Sequence, residues 1–190
     1  MSKIVIVHSS PRPDGNSSTL GKAIMDGAMG LSLNTIKIHR LNTLHYVRGC
    51  QSCGRCKSSE ICCIEDNLIP VLEDIRECDT LVICFPVFFR APCAQFKILI
   101  DRMYCFLDKD LKPKYPGKKL ILVMTYDNIE LDSVVQSIKH NLEETFCKDL
   151  GFKIDGFITY KCEHNVNTVA NDIATLNDAR KYGESLVNNQ

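Results

Sequence analysis

Ile4-Val5-Ile6-Val7-His8-Ser9-Ser10-Pro11-Arg12-Pro13-Asp14-Gly15-Asn16-Ser17-Ser18 takes the chain from an apolar run through a polar loop to an amphipathic segment starting near Thr19. A buried strand, a loop of small residues and a helix start, in that order, leave unpaired amide N–H groups pointing at one spot. The positive end of the helix dipole lies at the same spot. Ser9, Ser10, Ser17 and Ser18 can add hydroxyl donors, Asn16 an amide, and Arg12 a charged fork of donors. The arrangement predicts a phosphate-binding loop. For the loop taken alone, an ordinary strand–helix turn capped by Asn16 or Ser17 is the alternative.

Outward from this loop, five apolar runs alternate with five helical patterns. Strands are expected at residues 3–7, 35–39, 80–85, 119–124 and 154–159. Leu81-Val82-Ile83-Cys84-Phe85 and Leu120-Ile121-Leu122-Val123-Met124 do not alternate, as befits strands buried on both faces of a parallel sheet. Helices are expected at 18–29, 67–78, 92–107, 131–150 and 168–187. In the fourth, Leu131, Val134, Val135, Ile138, Leu142, Phe146 and Leu150 share one face, and in the fifth Val169, Ile173, Leu176, Ala179, Gly183 and Leu186 do. Asp66 or Asn67 can cap the second helix, with Pro70 in its first turn. Five successive βα units predict an α/β, flavodoxin-like, doubly wound five-stranded parallel sheet of order 2-1-3-4-5 with helices on both faces. Its ligand site lies beyond the carboxyl ends of strands 1 and 3.

The 190 residues suit one domain, expected over 1–190 with a cysteine-rich insertion at about 41–66. Lys+Arg and Asp+Glu are equal at 23 each, which argues against nucleic-acid and anionic-membrane partners. No basic leader with an apolar core precedes the first strand, and no apolar run approaches membrane-span length, so a cytoplasmic location is expected. Eleven cysteines are abnormal for such a chain and, in a reducing compartment, point to metal or redox chemistry. Two long loops, 41–66 and 108–118, are expected to be functional.

The loop after strand 3, Pro86-Val87-Phe88-Phe89-Arg90-Ala91-Pro92-Cys93, offers amides and aromatic faces to a flat cofactor, although both phenylalanines could instead be core. Ser9-Ser10-Pro11-Arg12 with Gly15-Asn16-Ser17-Ser18 resembles the FMN-phosphate loop of NADPH-dependent FMN reductase-like flavoproteins. Pro86-Val87-Phe88, followed by Gln95-Phe96-Lys97 and Ile100-Asp101-Arg102, is similar to that family's second signature. The resemblance spans about residues 3–125. It implies FMN held by Ser9, Ser10, Arg12, Asn16, Ser17 and Ser18 at the phosphate and by Pro86, Val87, Phe88 and Phe89 at the ring. Thr125 falls in the third flavin-contacting loop, where Thr125-Tyr126-Asp127-Asn128 lacks the glycines of many members.

Cys50-Gln51-Ser52-Cys53-Gly54-Arg55-Cys56 is followed, five residues on, by Cys62-Cys63. Three cysteines spaced by two wrap one corner of a small cluster, with a fourth thiolate from elsewhere. Zinc more often uses two separated CxxC knuckles, and unligated thiols are the remaining alternative. The run resembles that of iron–sulfur flavoproteins, a branch of the same family. That resemblance implies one [4Fe–4S] cluster on Cys50, Cys53, Cys56 and Cys62, with Cys63 competing for the fourth place. Cys78, Cys84, Cys93, Cys105 and Cys147 are expected in the core, and Cys162 on a loop. His45 and His164 are expected at the surface, and Lys97, Asp101 and Arg102 in a structural ion pair.

The resemblance further implies an FMN oxidoreductase linked to NAD(P)H or to ferredoxin, with quinones or oxygen species as acceptors, assembled as a homodimer or homotetramer. The flavin carries the chemistry, so no catalytic acid or base is nominated. The alternatives are a reductase without a cluster and a pure electron carrier. A low-molecular-weight tyrosine phosphatase is excluded because the first loop has no cysteine nucleophile. A receiver domain is excluded because the strand ends lack its acidic pocket.

Overall fold

The computed structural model describes residues 2–30, 34–127, 132–162 and 166–188. Strands β1 (Lys3–His8), β2 (Thr35–Arg40), β3 (Thr80–Phe88), β5 (Lys119–Tyr126) and β6 (Lys153–Lys161) pair in parallel in the order β2-β1-β3-β5-β6. For the long strands this is the order 2-1-3-4-5. The sheet nevertheless has six strands rather than the expected five. Residues Ala91–Pro92 form a short β4 antiparallel to the end of β3.

Alternate residues of the central strands face opposite helical layers. Ile4, Ile6, Val82, Cys84, Ile121 and Val123 pack with α1 (Asn16–Met29) and α5 (Ile173–Asn188). Val5, Val7, Ile83, Phe85, Leu122 and Met124 pack with α2 (Ile69–Glu77), α3 (Ala94–Arg102) and α4 (Asp132–Glu143). This burial on both sides is why those runs are apolar without alternation. Helices α1 and α5 cross backbone against backbone. A Cβ added at Gly27 would lie 1.9 Å from the Arg180 carbonyl oxygen, and one at Gly183 2.0 Å from that of Ile24.

Several boundaries differ from the sequence reading. Helix α1 starts at Asn16 because Gly15, in extended backbone, serves as its N-cap. Helix α2 starts at Ile69, after an Asx turn in which Asp66 Oδ1 accepts from the Leu68 amide at 3.1 Å. Beyond Arg102, α3 tightens into a 3₁₀ turn over Met103–Phe106, and α4 widens into a π turn over Glu144–Asp149. Leu131, expected to open the fourth helix, lies outside the described residues.

Candidate functional site

Beyond the carboxyl ends of the central strands lies a cleft of about 460 Å³. Its first wall is the loop between β1 and α1. Gly15 has no side chain to cap the helix and no acidic residue occupies the first turn, so the positive end of the α1 dipole meets the cleft without a side-chain cap. The loop holds its own shape. The Arg12 amide donates to Ser10 Oγ at 3.1 Å, the Gly15 amide to the Arg12 carbonyl at 3.3 Å, and Ser18 Oγ to that same carbonyl at 3.1 Å. From outside, Asn42 Nδ2 donates to the Pro11 carbonyl and Arg40 Nη1 to that of Pro13.

Of the residues expected to hold the phosphate, Ser10, Arg12, Asn16 and Ser17 line the cleft. Ser9 and Ser18 stand behind it. The Ser9 hydroxyl is fully buried and donates to the Cys84 carbonyl at 2.9 Å, tying β1 to β3, while Ser18 braces the loop from within. Their hydroxyls serve the backbone, which is the physical reason they do not face the cleft.

The second wall is the end of β3. The expected loop is instead a hairpin: β3 runs on to Phe88, Phe89 and Arg90 turn, and Ala91 pairs back with Phe88. Both turn residues are left-handed, with φ of 47° at Phe89 and 64° at Arg90. That is the pattern of a type I′ turn, which normally selects Asn or Gly. Holding a bulky aromatic there stores on the order of 1 kcal/mol or more of strain. Pro86, Val87, Phe88 and Phe89 all line the cleft, and Phe89 stands wholly exposed at its lip.

The far wall comes from β5 and β6. Thr125 is buried and lines the cleft with Tyr126, Asp127 and Cys162; Asn128 lies outside the described residues. Burial pushes the Cys162 thiol up in pKa, against hydrogen bonds with Asn16 and Thr125. Asn16 also reaches the C-terminal segment, its Oδ1 accepting from the Val169 amide at 2.9 Å. Of the third loop only Thr125 was nominated from sequence as a contact, and Cys162 was expected only on a loop. Only the pairing of β5 with β6 brings position 162 beside position 126, where its amide donates to the Tyr126 carbonyl at 2.8 Å.

The cysteine loop forms a separate centre. Cys50, Cys53, Cys56 and Cys62 line one recess together with Arg102, Tyr104 and Cys105. Cys105 is buried as expected, and this recess is what it borders. Cys63 faces Cys53 at 3.7 Å between sulfurs and is not among the residues lining the recess. Among the described residues, no three His, Cys, Asp or Glu side chains converge to hold a single metal ion. The recess has only about 10 Å³ of free space, bounded outside by the exposed Cys50, Ser52, Cys53 and Gly54. A cluster requires that rim to stand further out. The donor chemistry fits one: four thiol-bearing residues line a single recess, and a [4Fe–4S] core takes one thiolate at each of four corners.

Side chains from distant segments hold this loop. Lys57 Nζ donates to the Tyr104 and Leu107 carbonyls, and Lys114 Nζ to those of Cys56, Ser59 and Glu60. Tyr115 Oη donates to the Glu60 carbonyl at 2.8 Å. The two long loops thus pack on each other. Lys97 and Asp101 pair as expected, but Arg102 pairs instead with Asp66, both side chains wholly buried. Cys78, Cys84 and Cys93 are buried, Cys147 is half-buried, His45 is exposed, and His164 lies outside the described residues. No described helix is long and apolar enough to cross a membrane.

A doubly wound sheet with a helix start facing an aromatic lip defines a flavodoxin-like protein with a cleft at its switch point. Residues 2–150 match the NADPH-dependent FMN reductase family, and the chain belongs to that family. An iron-sulfur flavoprotein of Methanosarcina thermophila is 26% identical over 136 residues, covering 72% of this chain and 70% of the relative. An iron-sulfur flavoprotein of Methanocaldococcus jannaschii is 29% identical over 100 residues, covering 53% of this chain. That match spans about half of the relative, 51% of its length. The fold is shared with an NAD(P)H:quinone oxidoreductase from Methanothermobacter marburgensis, with a TM-score of 0.73 at 15% identity, covering 97% of this chain and 98% of the other.

Proposed function

We propose that this chain is an FMN-dependent oxidoreductase that moves electrons between FMN in the switch-point cleft and a [4Fe–4S] cluster on Cys50, Cys53, Cys56 and Cys62. The observation that carries the reading is the recess shared by those four thiols, in a chain whose other centre is a cleft suited to FMN. FMN accepts a hydride as an electron pair and releases electrons singly, so it can link a two-electron donor to a one-electron centre. The chain's own part is position. The α1 amides, Ser10, Ser17 and Arg12 hold the phosphate, and residues 86–89 shelter the ring from water. Arg55, Lys57, Arg102 and Lys114 surround the cysteine loop with positive charge, which suits an anionic centre.

NAD(P)H or a ferredoxin is the donor in this reading, and a quinone or an oxygen species the acceptor. The exposed Phe88 and Phe89 at the lip support a homodimer or homotetramer that covers them. The test is anaerobic purification with FMN, iron and acid-labile sulfide counted per chain. One FMN with about four iron and four sulfide supports two-centre electron transfer. FMN without iron transfers the reading to an NAD(P)H:acceptor reductase, and no FMN after reconstitution overturns it. Sustained NAD(P)H oxidation with added quinone separates an enzyme from a pure carrier.

A further inference from the structure

Arg102 is the largest fully buried side chain among the described residues, 1% exposed, at the end of α3 against the cysteine loop. The two terminal nitrogens of its guanidinium are fully engaged. Nη1 donates to Asp66 Oδ2 at 2.6 Å and to the Arg48 carbonyl at 2.7 Å. Nη2 donates to Asp66 Oδ1 and to the Ile64 carbonyl, each at 3.2 Å. The Asp66 carboxylate offsets the charge and also accepts from the Arg48 amide at 2.9 Å. The third donor is different. Nε is buried and has no partner.

A buried N–H without an acceptor is destabilising by about 1–3 kcal/mol, so this donor calls for an acceptor among the groups that Arg102 borders. Arg102 borders the recess lined by Cys50, Cys53, Cys56 and Cys62, and the guanidinium lies against the Cys62 thiol. The other cations nearby are committed or outside. Lys57 and Lys114 donate to backbone carbonyls, and Arg55 is exposed beside Cys53 and Cys63.

We infer that Arg102 is a positioning residue of the cysteine centre: its free Nε–H donates to the Cys62 sulfur, selecting Cys62 over Cys63 as the fourth ligand and raising the reduction potential of the cluster. This rests on the cluster reading above. An N–H···S bond favours the more negative, reduced state of an iron–sulfur centre, so its loss lowers the potential. Donors to ligand atoms also fix the ligand's orientation, which gives Cys62 a placement that its neighbour lacks.

The test uses the holoprotein, purified anaerobically. Removing Arg102 alone would leave Asp66 buried and unpaired, so R102M is combined with D66N to remove charge and countercharge together. The double variant is expected to keep bound iron while its midpoint potential, by protein-film voltammetry, moves below that of the wild type. C62S is expected to lose most of its iron and C63S to keep it. An unchanged potential in the double variant overturns the inference. So does iron retained in C62S and lost in C63S, which also decides the matter if the double variant does not fold. Wild-type protein with FMN and no iron overturns the parent reading, and this inference with it.

Discussion

The switch-point cleft and the cysteine loop are built from different parts of the same chemistry. The cleft is made of backbone: helix amides, strand ends and a hairpin, fixed by sheet pairing and by the α1–α5 crossing at Gly27 and Gly183. The cysteine loop has only two short 3₁₀ turns of its own, over Leu41–Thr43 and Arg55–Lys57, and takes its shape from Arg102, Lys57, Lys114 and Tyr115. A site made of backbone is as rigid as the fold. A site hung on side chains is as rigid as its few tethers, and each tether is a place where it can be tuned.

The largest effect should come from the scaffold of the cleft. Gly27→Val drives a side chain into the Arg180 carbonyl and should abolish folding, a loss of more than about 4 kcal/mol, seen as absent cooperative melting by circular dichroism. Asp66→Ala attacks the other region. It leaves Arg102 buried and unpaired, and urea melts should record a loss of about 3–5 kcal/mol. FMN affinity, measured well below the melting temperature, should change less than about threefold. A collapse of FMN binding in that variant would mean that the two regions are one unit.

Acid separates the regions by pH. Burial, then Arg40 and Lys22, push His8 at the end of β1 down to about 4. The unfolded imidazole titrates near 6.5, so the unfolded chain binds the proton first as pH falls below that value. Stability should therefore decline between about pH 6.5 and 4, by roughly 3 kcal/mol, and the slope should be absent in His8→Leu. At Asp66 burial pushes the carboxyl up, but Arg102 and the Arg48 amide outweigh it and hold it below the ordinary value. Its stabilisation persists above about pH 4 and is lost only as pH falls through that lower folded value, so the cysteine loop should outlast the His8 transition. Residue-resolved hydrogen exchange distinguishes the two windows.

Smaller effects sharpen the same contrast. Arg12→Ala should weaken FMN binding about tenfold, on the order of 1.5 kcal/mol, in a fluorescence titration, without moving the apoprotein's melting temperature. Gly49→Ala, at a position with nothing within 4 Å of the added carbon, should alter stability by less than about 0.5 kcal/mol. A larger change there would show the cysteine loop to be more tightly held than its tethers suggest.

Local sequence determined the central strands, the strand order they imply and the polar loop that leads into the first helix. Each of these depends on residues close together in the chain: apolar runs, a small-residue loop, a helix start. The spacing of Cys50, Cys53 and Cys56 is legible for the same reason. The hairpin at Phe89 and Arg90 was not legible, because its left-handed turn carries neither Asn nor Gly and is held by the pairing of Val87 with Pro92 and of Phe88 with Ala91. Nor was the role of Ser9, whose hydroxyl looks available until β3 brings the Cys84 carbonyl beside it. Arg102 read as part of a pair within α3, since Asp101 and Lys97 stand close in sequence. Only the packing of the 41–66 loop against α3 delivers Asp66, a buried countercharge 36 residues away. Burial, pairing across strands and the direction of a side chain depend on distant segments arriving together, so tertiary structure alone decided which donors were satisfied and which, Arg102 Nε among them, were left without a partner.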